Sequence, residues 1–248
     1  MMKRNIADCM SEKEELNALL STRFKRWRKI NKWIDRVILS ILLFMITFIG
    51  SGLIDSLMIL EEGFGTIKYH SFTQLIEINP DTEAWLIMDG THIDQPVVRS
   101  SDNFDYLDKG FEGNFYAGGT LFMDKDNEGF GDPYCIIHGH HMAGGAMFGD
   151  LEKYLNEGFF RKNHTGKLLT AEYDYDIEVF AAGVFNAYDR KIYKPGETIP
   201  FSYLTGKAIN LRDAAEHKHV LALSTCLGEM TDDRIVVFCG LTGKRAHR

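Results

Sequence analysis

Short apolar runs separated by turn-forming residues dominate the chain from residue 84 onward. They cover Ala84–Met88, Gln95–Val98, Thr120–Met123, Tyr134–His138, Lys167–Thr170, Asp176–Ala182, His219–Ser224 and Arg234–Phe238. Runs of four to seven residues, punctuated by pairs such as Asp89-Gly90, Gly118-Gly119 and Asp132-Pro133, predict strands rather than helices. Helical signals are fewer. Ser71-Phe-Thr-Gln74 fits a capping box, so a short helix should open there and stop before Pro80. Asp150 reads as the cap of a second helix, with Leu151, Tyr154 and Leu155 on one face and Gly158 closing it. A third helical stretch fits Pro200–Asn210. Many short strands and few helices predict a mainly β domain, an antiparallel or mixed barrel with peripheral helices, and argue against a doubly wound sheet.

The pattern upstream is different in kind. From Val37 to Ile54 the chain carries no charged residue, and 18 positions would span ~27 Å as a helix, close to the hydrocarbon thickness of a bilayer. Apolar character resumes after Asp55 through Leu60. A run that is apolar all round lacks the polar face of a core helix. It is also longer than the apolar core of a cleavable signal, and no small-x-small site follows it. We therefore expect a transmembrane anchor over 37–60. Arg23, Lys25, Arg26, Arg28, Lys29, Lys32 and Arg36 precede it, whereas Glu61 and Glu62 follow. The positive-inside rule then predicts a cytoplasmic basic segment over 1–36 and an extracellular domain over 61–248, with the chain crossing the plasma membrane once.

Charge sharpens this division. The formal net charge of −7 hides 10 Lys+Arg against 5 Asp+Glu in residues 1–36, and 18 against 29 in residues 61–248. An acidic outer domain excludes a general nucleic-acid binder, so no nucleic-acid partner is expected. Residues 11–36 could meet anionic inner-leaflet lipids or simply set topology. Four cysteines, at 9, 135, 226 and 239, without a CxxC pair, exclude a disulfide-stapled miniprotein and argue against zinc ribbons and thioredoxin-type motifs. Cys9 is expected to be cytosolic and reduced. Cys135 and Cys239 read as core thiols, and sequence gives no distance between them.

Cys226 ends the apolar run Val220-Leu-Ala-Leu-Ser-Thr-Cys226, at a point where a strand hands a side chain to a loop, and Arg234 opens the next run. Paired as a hairpin, the two would face each other, and a cationic neighbour favours the thiolate form of cysteine. Ile136-Ile-His-Gly-His-His141 places histidines just past another strand, where an imidazole can enter a cleft as acid or base. Cysteine plus histidine is the minimal set for acyl transfer, with Arg234 available to a developing oxyanion. Other readings stand beside this one. A strand-end cysteine is often an inert buried thiol, Arg234 alone would be an ordinary ion-pair residue, and His138, His140 and Cys226 could share a metal. His70, His92, His164, His217 and His219 form no pattern.

Leu223-Ser-Thr-Cys226 followed by Arg234 resembles the signature of sortases, the membrane-anchored cysteine transpeptidases of Gram-positive bacteria, and Gly139-His140 resembles the segment bearing their catalytic histidine. Ile78-Asn-Pro-Asp-Thr82, Trp85, Asp89-Gly-Thr91, Ile93, Pro96-Val-Val98, Asp102-Asn103, Tyr106-Leu107 and Met147-Phe-Gly-Asp150-Leu151 are similar to class B members in particular. The resemblance covers about residues 72–240. It implies a closed barrel of about eight strands with added helices, and a two-step acyl transfer without cofactor or metal. In that chemistry Cys226 would be the nucleophile, His140 the acid/base and Arg234 the clamp on substrate or oxyanion. Asn103, Ser224, Thr225 and His138 would contact substrate, His138 standing where relatives often carry tyrosine. His141 receives no role, and residues 186–210 would wall a peptide groove. The implied partners are surface proteins bearing a C-terminal sorting signal, cleaved at a Thr–X bond, and a peptidoglycan precursor amine. The implied alternatives are a pilin-polymerising enzyme with a lysine acceptor, or a cysteine protease that hydrolyses its substrate.

Overall fold

A computed structural model describes residues 21, 27, 31, 33, 34, 36–50, 71–212, 217–227 and 231–246. Two compact units divide the chain, Met1–Ser56 and Leu57–Arg248. In the first, residues 36–50 are helical (α1) and their apolar side chains are exposed. Among the described residues no helix is long and apolar enough to cross a membrane. Residues 51–60 of the expected anchor lie outside the described residues, as does Cys9.

The second unit is built on strands β1 (Thr82–Met88), β2 (Asp94–Val98), β3 (Leu121–Met123), β4 (Tyr134–His138), β5 (Thr165–Thr170), β6 (Tyr173–Asn186), β7 (Asn210–Leu211), β8 (Val220–Cys226) and β9 (Asp233–Ala246). They form one sheet in the order β5-β1-β2-β3-β4-β8-β9-β6-β7, and β5 also pairs with β6. That last pairing closes eight strands into a barrel, with β7 appended to β6. Two neighbouring pairs, β2–β3 and β4–β8, run parallel, and the other ladders are antiparallel. The mainly β barrel expected from the sequence is the fold observed.

Alternation along the strands sorts side chains between two faces. Ala84, Leu86 and Met88 of β1, Leu121 and Met123 of β3, Cys135 and Ile137 of β4, Leu221 and Leu223 of β8, and Ile235, Val237 and Cys239 of β9 fill the barrel interior. Outside the β4–β8–β9 wall lies a second apolar cluster. There Tyr134, Ile136, Ala222, Val236 and Phe238 pack beneath Ile192, Ile199 and Leu204 of the long β6–β7 connection. This connection carries a short helix, α4 (Phe201–Thr205), opened by Pro200. Strands buried on both faces explain why β4 and β8 read as unbroken apolar runs rather than as alternation.

The helices partly correct the sequence reading. Helix α2 (Phe72–Ile78) begins as expected, with the Ser71 hydroxyl accepting from the Gln74 N–H at 3.4 Å, and ends at Asn79 before Pro80. The segment after residue 148 differs. Gly149–Leu155 is a run of 3-10 helix with Asp150 inside it, and a separate helix, α3 (Glu157–Lys162), follows. Asn156 caps α3 through a 3.1 Å bond from the Phe159 N–H, and Gly158 lies within the helix instead of ending it. The Asp150 carboxylate does not cap because His92 and Lys153 engage it.

Candidate active site

Strand β8 meets β4 on one side and β9 on the other. The registers set Ser224 opposite both His138 and Val236, and Cys226 opposite Arg234. Alternation therefore puts His138, Ser224, Cys226 and Arg234 on the outer face of the wall, beside the edge of the second apolar cluster. His140 follows two residues after β4 ends. These side chains, with Asn103, Leu107, Phe122, Gly139 and Thr225, line a single cleft of about 200 Å³. All seven residues proposed from the sequence, Cys226, His140, Arg234, Asn103, Ser224, Thr225 and His138, thus come together there.

The nucleophile candidate is a half-buried free thiol. Cys135 and Cys239 are free as well and buried in the barrel, so they form no disulfide. Burial pushes the Cys135 thiol up to about 12 and the Cys239 thiol higher still, which leaves both inert at neutral pH. Arg234 donates from Nη1 to the carbonyls of Thr231 (2.8 Å) and Asp233 (3.1 Å). A guanidinium carries five N–H donors, so this tether holds the group beside Cys226 with donors left for a substrate oxygen.

His140 is fixed by backbone. Its Nε2–H donates to the Leu107 carbonyl at 2.7 Å, which leaves Nδ1 as the nitrogen to exchange a proton. Leu107 sits in the long connection between parallel strands β2 and β3. The buried Tyr106 beside it locates that connection, donating its hydroxyl to Asp81 Oδ2 at 2.7 Å while the Thr120 N–H donates to the Tyr106 carbonyl at 3.0 Å. Gly139, just before the histidine, is a glycine for reasons of space. A Cβ there would lie 2.8 Å from Phe148 Cδ2 and closer still to Leu121 Cδ2. The tight turn over these two core side chains is what delivers His140 to the cleft.

The other candidates are tied into a polar layer. His138 Nε2 bonds Asp124 Oδ2 at 2.9 Å, and its ring lies between Phe122 and Tyr193, with centroids 5.2 and 6.3 Å away. Asn103 donates to the same Asp124 oxygen at 3.0 Å and accepts from the Lys125 N–H at 2.8 Å. Burial works to raise the Asp124 carboxyl, but hydrogen bonds from His138, the Asp126 N–H and Asn103 outweigh it and hold the group below the usual carboxylate range. Ser224 Oγ lies 2.9 Å from the Tyr193 hydroxyl. Burial pushes that phenol up to about 12, so it stays a neutral hydroxyl. Thr225 is buried, and among the described residues its Oγ1 has no hydrogen-bond partner. His141 bonds Glu152 at 3.1 Å and lies outside the cleft lining.

Sequence reasoning missed Leu107, Asp124 and Tyr193. A backbone carbonyl leaves no trace in residue type, and Asp124 and Tyr193 reach the cleft from 14 and 31 residues away along the chain. A thiol, an imidazole with a free lone pair and a guanidinium in one cleft can perform covalent acyl transfer: attack, proton exchange and oxyanion stabilisation.

No family model matches the chain. Over 108 residues it is 36% identical to Sortase B of Listeria monocytogenes, a stretch covering 43% of this chain and 44% of that protein. The chain spans less than half the length of the curated relatives it matches. Among solved structures, a class B sortase of Streptococcus pyogenes involved in pilus biogenesis aligns with a TM-score of 0.64 and 34% identity, over 69% of this chain and 98% of the other. The substrate complex of Staphylococcus aureus sortase B aligns with a TM-score of 0.63 and 28% identity, over 68% and 83%.

Proposed function

The chain belongs to the class B sortase family, and from that premise we propose that it is a cysteine transpeptidase joining surface proteins to a cell-wall amine. The observation that carries this is the shared cleft: Cys226 and Arg234 paired across β8–β9, with His140 held at its rim by the Leu107 carbonyl. The Cys226 thiol gives its proton to His140 Nδ1, and the resulting thiolate attacks the carbonyl of a Thr–X bond in a sorting signal. The Arg234 donors not engaged by Thr231 and Asp233 meet the developing oxyanion. His140 gives a proton from Nδ1 to the leaving amine, and a thioacyl enzyme remains. An incoming amine then loses its proton to the same nitrogen and attacks the thioester, restoring the thiol. Asn103, Ser224 and His138 flank this centre and would meet the substrate chain, with Tyr193 and the β6–β7 connection as a wall, whereas the Thr225 side chain is buried on the strand face that carries Ile235.

The acceptor in this reading is a peptidoglycan precursor amine, and the donor is a surface protein with a C-terminal sorting signal. The 18-residue uncharged stretch and its basic flank support a single-pass plasma-membrane location, N-terminus inside and residues 61–248 outside. Confinement of enzyme, donor and acceptor to one surface raises their effective concentration. The pilus role of the Streptococcus pyogenes relative favours one alternative, a lysine of a second protein as acceptor. Incubating the protein with sorting peptides and either a peptidoglycan-like amine or a lysine-bearing pilin peptide, read by mass, separates the two. Product with the first amine supports the cell-wall reading. Product only with the lysine replaces it, and hydrolysis undiminished by either amine indicates a protease.

A further inference from the structure

Between the histidine and the 3-10 run Gly149–Leu155, residues 140–149 fold back on themselves as a strap, with a short 3-10 turn at Ala143–Gly145. The Phe148 N–H donates to the His140 carbonyl at 2.9 Å, and His141 and Met147 form an isolated antiparallel bridge. Phe148 is fully buried in the barrel interior and anchors the returning end. Met147 has φ 52°, the one non-glycine positive φ among the described residues. Such a conformation costs energy and persists only where its surroundings enforce it.

A buried carboxylate stands at the tip of this strap. Asp150 is 2% exposed. Its Oδ2 accepts from the backbone N–H of His92 at 2.9 Å and lies 2.9 Å from His92 Nδ1, and its Oδ1 accepts from Lys153 Nζ at 2.8 Å. The tip of the strap presses against the same group. Gly145, at φ 86°, approaches so closely that a Cβ there would sit 2.6 Å from Asp150 Cγ. A buried charge is tolerated only when its lone pairs are met, and here they are met by the β1–β2 turn and the 3-10 run, with the strap closing the third side.

We propose that Asp150 is a positioning residue for His140: it locks the strap to the β1–β2 turn, and the locked strap holds the imidazole on the Leu107 carbonyl. The proposal rests on the reading of His140 as the acid/base. Asp150 touches no reacting atom and lies outside the cleft lining. Its removal frees the strap tip while leaving the β8–β9 pairing of Cys226 with Arg234 in place.

The test uses the full chain bearing Asp150→Asn, with His92→Ala as a milder second variant that removes one carboxylate contact from a half-exposed side chain. Transpeptidation kcat should fall on the order of 10- to 100-fold in Asp150→Asn and less in His92→Ala, with KM within about twofold, the signature of a displaced catalytic group. In parallel, the His140 Nε2–H resonance, assigned with His140→Gln, should lose its protection from solvent exchange in both variants. A folded Asp150→Asn protein with wild-type kcat and an unchanged His140 resonance overturns the proposal. So does His92→Ala with both readouts unchanged if Asp150→Asn does not fold. Should the wild-type protein yield no transpeptidation product, the functional reading fails by itself, and the resonance still decides the role of Asp150.

Discussion

Replacing Gly139 by alanine tests how tightly the turn before His140 is set by packing. The added Cβ would lie 2.8 and 3.0 Å from Phe148 Cδ2 and Cγ, and nearer to Leu121 Cδ2, where ordinary carbon contacts run about 3.5–4.0 Å. Both neighbours are fully buried in the barrel interior, so neither can retreat toward solvent. Overpacking of this kind costs about 1–3 kcal/mol, and the restriction of the unfolded chain by alanine returns about 0.4–1 kcal/mol. The net loss is about 1–2 kcal/mol. For a domain of this size that lowers the melting temperature by about 2–8 °C. Thermal unfolding followed by circular dichroism measures it. Leu121→Val removes the atom closest to the new methyl, so the double variant should lie above the additive expectation by at least about 0.5 kcal/mol. A melting point unmoved within a degree, or a strictly additive cycle, would refute the claim that core packing fixes this turn.

Three further outcomes follow from the same geometry. Iodoacetamide should label Cys226 in the native protein while Cys135 and Cys239 react only after unfolding, as peptide mass spectrometry would record; rapid native labelling of either core thiol contradicts the burial argument. Tyr193→Phe leaves Ser224 Oγ without its partner and should cost about 0.5–1.5 kcal/mol, with KM for a peptide substrate rising as the β6–β7 connection loosens. An unchanged KM and melting point would detach Tyr193 from the groove. Asp124 has its carboxyl held low in the folded state, so its contribution to stability is complete above the ordinary value of about 3.9 and is lost as pH falls through the lower folded value. Denaturant titrations at a series of pH values below about 4 should therefore show a shallower acid loss in Asp124→Asn than in wild type, and parallel curves would contradict it.

The barrel was legible because burial on both faces leaves a plain mark. Each of the eight apolar runs proved to be a strand. What escaped were features made by partners distant in sequence. Strand β7 is two residues long and exists through its pairing with Ala181 and Ala182. Strands β6 and β9 pair over a long ladder with register shifts at Asp174/Asp176 and Val179/Ala181, and the apolar runs marked only seven and five residues of these two 14-residue strands. Asp150 looked like a helix cap because an acid before Leu151 is the ordinary start signal, but tertiary contacts to His92, 58 residues away, claimed its carboxylate. At the cleft, the chemistry-bearing residues Cys226, His140 and Arg234 could be named from strand ends and neighbours. The groups that hold the cleft in place, the Leu107 carbonyl on His140, Asp124 on His138 and Asn103, and Tyr193 on Ser224, became visible only in three dimensions.

The most direct measurement is intact-protein mass spectrometry of the full chain mixed with a threonine-containing sorting peptide, followed by digestion to locate any adduct. The account predicts an acyl adduct on Cys226 that an added primary amine discharges as a new amide, and that is missing in Cys226→Ala and accumulates slowly in His140→Ala. Peptide turnover that persists in Cys226→Ala, or an adduct carried on another residue, would contradict it.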